Sequence, residues 1–481
     1  MILRASLVCS LCISIGAAEP SREAVRAALL HGARFFREEV AVQGTYLWQY
    51  SADLAKREGE GKASTTQGWV QPPGTPAVGM AFLEAWNATH DAYFLEAARE
   101  SARALIRGQL RSGGWQHSLE FDSKLRKRFA YRQGGGEKGR NVTTFDDDST
   151  QAALRFLMRS DAALNFGDST IREAIRHALQ SVLKAQYPNG AWPQGYDRFP
   201  APEQFPVKPA AYPAEWPRTW PGSQNYWERY TLNDNNLATL VETLFEGARL
   251  YETAADPVFA ELSKQCRSAA ERAGDFLILA QMPEPQPAWA QQYDFDMHPS
   301  WARKFEPPAI AAGESQGALR TLLKVYRETG KAKYLEPIPA ALAYLRGSRL
   351  PEGQLARFYE LRSNKPLYFT REYDLTYDDS DVPTHYSFKV SDDTSAIGGE
   401  FDMLRKLPKS ELQQTRRSKP PAADEVRKIL AAQDEQGRWI EEGKLRYHGP
   451  NDPTIEVIRC ATFARNMQTL ARYLSARERQ P

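Results

Sequence analysis

A helix-stop-and-Trp unit that recurs along the 481 residues limits what this chain can fold into more than any other feature. It reads "LIRGQLRSGGWQH" up to His117, "VLKAQYPNGAWPQ" up to Gln194, "LILAQMPEPQPAWAQQYDF" up to Phe295 and "ILAAQDEQGRWIEE" around Trp439. In all but the Phe295 unit a Gln stands six positions before the Trp; there the loop is two residues longer. Residues 345–360, "LRGSRLPEGQLARFYE", keep the outline without the Trp, and "AVQGTYLWQY" near Trp48 is a weaker copy. Each unit ends an apolar-periodic helix with a Gly or Pro stop and then enters an aromatic loop.

A second helix type alternates with the first. Its starts read "GTPAVGMAFLEAW" (74–86), "FDDDSTQAALRFLM" (145–158), "LNDNNLATLVETLF" (232–245), "GESQGALRTLLKVY" (313–326) and "SDDTSAIGGEFDML" (391–404), with a last one expected from Asn451. Most open with Asp, Asn, Ser or Thr, the residues that satisfy exposed helix N–H groups. The small and apolar residues that follow suit an inner, largely buried helix. The alternation predicts an all-α fold: an (α/α) toroid or barrel of about six helical hairpins, with residues 406–425 as a surface excursion. Long alternating β-branched runs are scarce, which argues against a β-helix or sandwich. The chain returns to one rim after every outer helix, so the Trp loops and the inner-helix starts are expected to converge there, Trp192 among them.

Residues 1–18, "MILRASLVCSLCISIGAA", have an early Arg4, an apolar run and small residues at the end, the pattern of a secretory signal peptide. The expectation is a secreted or periplasmic protein, a single toroidal domain over 19–481, acting as a monomer. A net charge of +2 gives no electrostatic footprint for nucleic acid or membrane, and neither is expected as a partner. Cys266 and Cys460 remain after the leader; they either pair or stay as buried thiols, and neither has a metal-binding spacing.

The predicted rim is acidic at two places. Asp146, Asp147 and Asp148 are consecutive, and Asp234 lies between Asn233 and Asn235. One Asp is enough to cap a helix, whereas three in a row repel one another unless a cation sits among them. Seven His in the chain make a transition-metal site a poor fit, so a hard cation held by oxygen atoms, Ca²⁺ first, is the candidate. The next loops carry the opposite sign: Arg303 and Glu306 in "HPSWARKFEPP", then Arg357, Glu360 and Lys365 in "LARFYELRSNKP". Each Arg reads either as half of a structural ion pair, Arg303 with Glu306 for example, or as a fork for the carboxylates of an anionic polymer.

In chain order, "SGGWQ", "TTFDDDST", "QYPNGAWPQ", "YTLNDNN", "AQQYD", "WARKFEPP" with "GES", and "ARFYELRSNKPLY" resemble the family 10 polysaccharide lyases, the pectic acid (pectate) lyases with a helical toroid fold. The resemblance runs from about Gly113 to Tyr373. It implies that Asp146 and Asp234 help bind Ca²⁺, with the adjacent Asp147 counted in the metal set. It also implies Arg303 as the Brønsted base, Arg357 paired with a substrate carboxylate, and Trp192 and Gln194 lining the sugar cleft. Tyr293, Glu306 and Lys365 complete the expected substrate contacts. The chain departs from the family where Asp146-Asp147-Asp148 replaces Asp-Asn-Gly and where Tyr293 replaces a His.

The implied activity is calcium-dependent β-elimination of α-1,4-polygalacturonate. Free Arg holds its proton too tightly to act as a base, and burial and nearby positive charge are expected to lower the Arg303 pKa. Two other readings stay open at this level: an inverting glycoside hydrolase using Asp146 with Glu306 or Glu314, and a non-catalytic exported uronide-binding protein.

Overall fold

The computed structural model describes residues 19–413 and 419–477; the expected signal peptide lies outside them. Within that range the helices are α1 (Arg22–Phe35), α2 (Thr75–Thr89), α3 (Ala92–Arg107), α4 (Ser149–Ala163), α5 (Ser169–Lys184), α6 (Asn236–Leu250), α7 (Pro257–Ala280), α8 (Ala312–Thr329), α9 (Ile338–Gly347), α10 (Thr394–Leu404), α11 (Ala423–Ala431) and α12 (Cys460–Arg477). Helix α2 packs against α12 and α4, then α4 against α6, α6 against α8, and α8 against α10. These are the inner helices. Helix α4 buries Phe156, Leu157 and Met158 in succession, which a helix with a solvent face cannot do. The outer helices are one-sided: α5 buries Ile171, Ala174, Ile175, Ala178, Leu179 and Val182 at three- and four-residue spacing. The molecule is an (α/α) toroid.

The Gln and Trp of the repeated unit prove to be its fasteners. Trp115, Trp192, Trp289 and Trp439 donate their indole N–H to the carbonyls of Leu105, Val182, Leu277 and Ile429, each near the end of the preceding outer helix. The amides of Gln109, Gln186, Gln281 and Gln433 each make two bonds. One goes to the carbonyl of Gly113, Gly190, Pro287 or Gly437 in their own loop, at 2.9–3.1 Å. The other goes to Ala174, Ala269, Pro337 or Ala28, in or just before another outer helix, at 2.9–3.0 Å. The last of these bonds ties the end of α11 to α1 and joins the two ends of the chain.

Three expectations are corrected here. Trp192 is already engaged at both ends, its ring packed in the core and its N–H bonded to Val182 O where it caps α5, so neither is left for a sugar. Tyr293 is likewise buried, with its hydroxyl donating to Ala280 O at 2.6 Å and accepting from Ala290 N at 2.8 Å. Tyr359 makes the same bonds one unit later, to Ser348 O and from Ala356 N, so this is a turn device. The last inner helix begins at Cys460, because residues 456–459 form a strand paired with Gln49–Ser51. Cys266 and Cys460 form no disulfide among the described residues, and both are buried. No described helix is long and apolar enough to cross a membrane.

Short antiparallel ribbons line the rim. Thr143–Thr144, leading into α4, pairs with Gly195–Tyr196 after α5, and Tyr230–Thr231, leading into α6, pairs with Gln292–Tyr293 after α7. A sheet of Ala309–Ala311, Phe358–Glu360, Pro366–Phe369 and Leu375–Thr376 adds a second apolar cluster around Trp301, Phe358, Phe369 and Phe388.

Candidate active site

Two lead-ins to inner helices fold alike, and their acids follow from that. After Phe145 and Leu232 the backbone passes through two consecutive left-handed residues, Asp147 (φ 48°) and Asp148 (φ 60°) in one, Asp234 (φ 50°) and Asn235 (φ 57°) in the other. Asp and Asn tolerate this region better than other non-glycine residues. Asp147 and Asp234 are thus equivalent, as are Ser149 and Asn236, the first residues of α4 and α6. Outer helices α1, α3, α5 and α7 have side-chain caps from Ser21, Asp91, Asp168 and Asp256, whereas Asp148 and Asn235 make no capping bond. Capping therefore does not account for the acids at the inner starts.

Ligand oxygens of Asp146, Asp147 and Asp234 all lie within 4.8 Å of one another. Gln71 donates to Asp147 at 2.7 Å and Asn233 to Asp234 at 2.6 Å, while the buried Oδ1 of Asp146 has no hydrogen-bond partner among the described residues. Burial, then the charges of Asp146, Asp147 and Glu314, push the Asp234 carboxyl up to about 7. Burial and Asp146 likewise raise Asp147. Mutually repelling carboxylates with an orphaned oxygen among them fit a hard, oxygen-liking cation. Asp148 is turned to Arg155 at 2.5 Å and stands apart from the set.

Arg303 faces this cluster electrostatically, stabilising the Asp234 anion. Its Nε and Nη2 donate to Glu306 at 2.8 and 2.5 Å, and its backbone N–H adds a third bond at 3.1 Å. Burial does work to lower the Arg303 pKa, as expected, but the bond and charge of Glu306 outweigh it and the net direction is upward. Glu306, 2 % exposed, is engaged with Arg303, so its expected role as a direct sugar contact is replaced by one of holding the arginine.

Tyr386 packs between the two arginines: Arg303 is 5.8 Å and Arg357 4.6 Å from its ring centre, and its hydroxyl reaches Glu306 at 3.3 Å. Arg357 is further fixed by a 2.6 Å bond from Nε to Ser387 O. Lys365 lies over the Tyr377 ring at 5.1 Å, beside the ion pair of Glu360 with Arg218. Gln194 is buried at the rim with Oε1 unpartnered among the described residues, and its backbone carbonyl accepts from Phe145 N, next to Asp146.

Sequence reasoning missed Tyr226 and Tyr386. Burial first raises the pKa of the Tyr226 hydroxyl, with Arg303 opposing and Glu306, Asp146 and Asp234 adding to it, so it feels the charges of the cluster. Neither Tyr belongs to a repeated unit, so no spacing marked them.

A family model described as pectic acid lyase matches residues 109–355, just over half of the chain. The chain belongs to the pectic acid lyase family. The protein is accordingly a polysaccharide lyase, and the matched span contains Asp146, Asp147, Asp234, Arg303 and Glu306. No curated protein matches it. Among solved structures, a family 10 polysaccharide lyase from Cellvibrio cellulosa is 22 % identical, covering 69 % of this chain and 96 % of that one, with a TM-score of 0.46. A mutant of that lyase in complex with trigalacturonic acid is 21 % identical over 68 % of this chain and 98 % of that one, with a TM-score of 0.47. An unsaturated glucuronyl hydrolase specific for heparin is 11 % identical over 95 % of this chain and 97 % of that one, at a TM-score of 0.40.

Proposed function

We propose that this pectic acid lyase family member cleaves polygalacturonate by calcium-dependent β-elimination, with Arg303 as the Brønsted base. The observation that carries the reading is the acid triad itself, Asp146, Asp147 and Asp234, with its oxygens within 4.8 Å and an arginine held alongside. These three residues would hold Ca²⁺. Bound there, the ion would offset the charge on a substrate carboxylate and so acidify the neighbouring C5 proton.

Arg303 removes that proton once it has lost its own. The C5–H electron pair becomes the C4–C5 double bond as the C4–O bond breaks, and the departing oxygen takes up a proton. Glu306 fixes the direction in which the guanidinium points, through three bonds within one tight turn. The same carboxylate makes the guanidinium harder to deprotonate, so the reaction belongs to alkaline pH. Arg357, held by Tyr386 and Ser387, is placed to grip a substrate carboxylate. Export to the periplasm or the medium, and action as a single-domain monomer, are part of the proposal.

Ultraviolet absorbance of the unsaturated product, with polygalacturonate at high pH, tests the reading. A rise that chelator abolishes and Arg303→Ala lacks is the expected result. New reducing ends that appear without absorbance, with or without chelator, would overturn it.

A further inference from the structure

Buried polar side chains next to the acid turns follow a pattern the repeat makes legible. Two residues past the Trp of its unit, His117 meets Ser149, the first residue of α4, at 2.9 Å. The same two positions in the next unit are Gln194 and Asn236, and in the one after that Gln291 and Glu314. The register holds across units, because Trp115 N donates to Thr150 Oγ1 as Trp289 N donates to Ser315 Oγ. In the first unit the two side chains satisfy each other. In the next two they do not: Gln194 Oε1, both polar atoms of Asn236, both of Gln291 and Glu314 Oε2 have no partner among the described residues.

All four side chains are deeply buried, with Asn236 1 % and Gln291 3 % exposed, and Gln194 and Glu314 each 9 %. They adjoin the two acid turns. Gln194 O accepts from Phe145 N and Gln291 O from Leu232 N, the residues that precede the two acid turns. Asn236 follows Asp234 by two residues, and Glu314 is charge-coupled to both Asp234 and Arg357. Buried polar groups are costly to leave unpaired, so six such atoms point to a ligand that satisfies them.

The atom types narrow that ligand. Gln194, Asn236, Gln291 and Glu314 offer four acceptors, and Asn236 and Gln291 add amide donors. A carboxylate accepts only and would leave the acceptors unmatched. A second cation would satisfy the oxygens and strand the amide N–H groups. A hydroxyl both donates and accepts, and neighbouring hydroxyls on a pyranose ring match such a row. We infer that Gln194, Asn236, Gln291 and Glu314 bind the ring hydroxyls of one sugar of the polysaccharide, while the carboxylate of the chain is left to the arginines and the cation. The inference rests on the lyase reading for the identity of the sugar. It assigns to these four residues the choice among uronides that differ in hydroxyl configuration.

The test uses Asn236→Ala and Gln291→Ala, each in the Arg303→Ala background so that trigalacturonate is bound without turnover. Calorimetry then measures trigalacturonate affinity with calcium present, calcium affinity alone, and the melting temperature. The expected result is a ten-fold or greater loss of trigalacturonate affinity in both variants, with calcium affinity unchanged within two-fold. Unchanged saccharide affinity with a shifted melting temperature would make the row a structural polar pocket and overturn the inference. Weakened calcium binding without substrate would overturn it in favour of cation ligands. If the parent binds trigalacturonate and the variants lose it, yet the wild type forms no unsaturated product, the row stands and the lyase reading fails. A parent that binds no trigalacturonate overturns both.

Discussion

Arg303 and Glu306, three residues apart, form a two-pronged ion pair in which both carboxylate oxygens are taken by the one guanidinium, at 2.8 and 2.5 Å. The carboxylate is almost fully covered, while the arginine side chain keeps 44 % of its surface exposed. One partner is therefore covered and the other is the part that meets solvent. The pair also sets the proton affinity of the arginine.

Removing the Glu306 charge should move the pH profile. In Glu306→Gln the main influence raising the Arg303 pKa is lost, so the alkaline limb of kcat shifts to lower pH. The looser guanidinium should lower the plateau about ten-fold. Arg303→Lys, which cannot make the fork, should lose on the order of 10²–10⁴ in kcat with a smaller change in KM. A pH–rate profile of both variants decides this, and an unshifted limb in Glu306→Gln would remove Arg303 from the role of base.

The triad predicts a linkage between protons and cation. The Asp234 carboxyl is raised to about 7, so the metal-free folded state holds that proton more tightly than the unfolded chain. The stability it contributes is fully present below about pH 4 and is lost as pH rises through about 7. Calcium needs the carboxylate, so its affinity should fall up to about ten-fold per pH unit below 7, and its stabilising effect should be greatest above it. Calorimetric titration at pH 5.5, 7 and 8.5 checks the slope; Asp234→Asn should flatten it and weaken binding.

Trp192 should matter to stability and not to substrate. Trp192→Phe keeps most of the ring packing and deletes the bond to Val182 O, which predicts a loss of roughly 1–3 kcal/mol. Trp192→Ala should cost about 3–5 kcal/mol through the cavity. KM for polygalacturonate should stay within two-fold in the Phe variant. A ten-fold rise in KM at unchanged stability would return Trp192 to the cleft.

Gln433 closes the outer ring, and its removal should be felt at both ends of the chain. Gln433→Ala leaves the carbonyls of Ala28 and Gly437 without that donor and predicts a loss of roughly 1–3 kcal/mol. Hydrogen exchange in α1 and α11 should speed up while α6 and α8 are unaffected. Uniform acceleration across all helices would instead mean that the ring unfolds as one unit.

How much was legible in advance depends on whether a residue belonged to the repeat. The inner and outer helices, the acid turns at Asp146 and Asp234 and the Arg303 loop all lie in recurring or recognisable stretches, and their order is found in the structure. Asp and Asn at inner starts read as caps or ligands from sequence alone; the left-handed backbone at Asp147 and Asp234 and the missing capping bonds argue against caps. Tyr226 and Tyr386 carry no periodic signal, and only the packing of distant loops brings them beside Arg303.

The sequence by itself determined the toroid, because the spacing of apolar residues and helix stops leaves each helix one buried arrangement. It also determined that carboxylates and arginines share a rim, since the chain returns to that end after every hairpin. Tertiary structure decided which aromatic side chains are fasteners. A Trp or Tyr in a polar loop looks the same in sequence whether it meets sugar or a helix carbonyl. Its indole or phenol needs a hydrogen-bond partner when buried, and in Trp192 and Tyr293 that partner is a backbone carbonyl contributed by the preceding outer helix. That distance of ten or more residues is fixed by folding, and no local pattern records it.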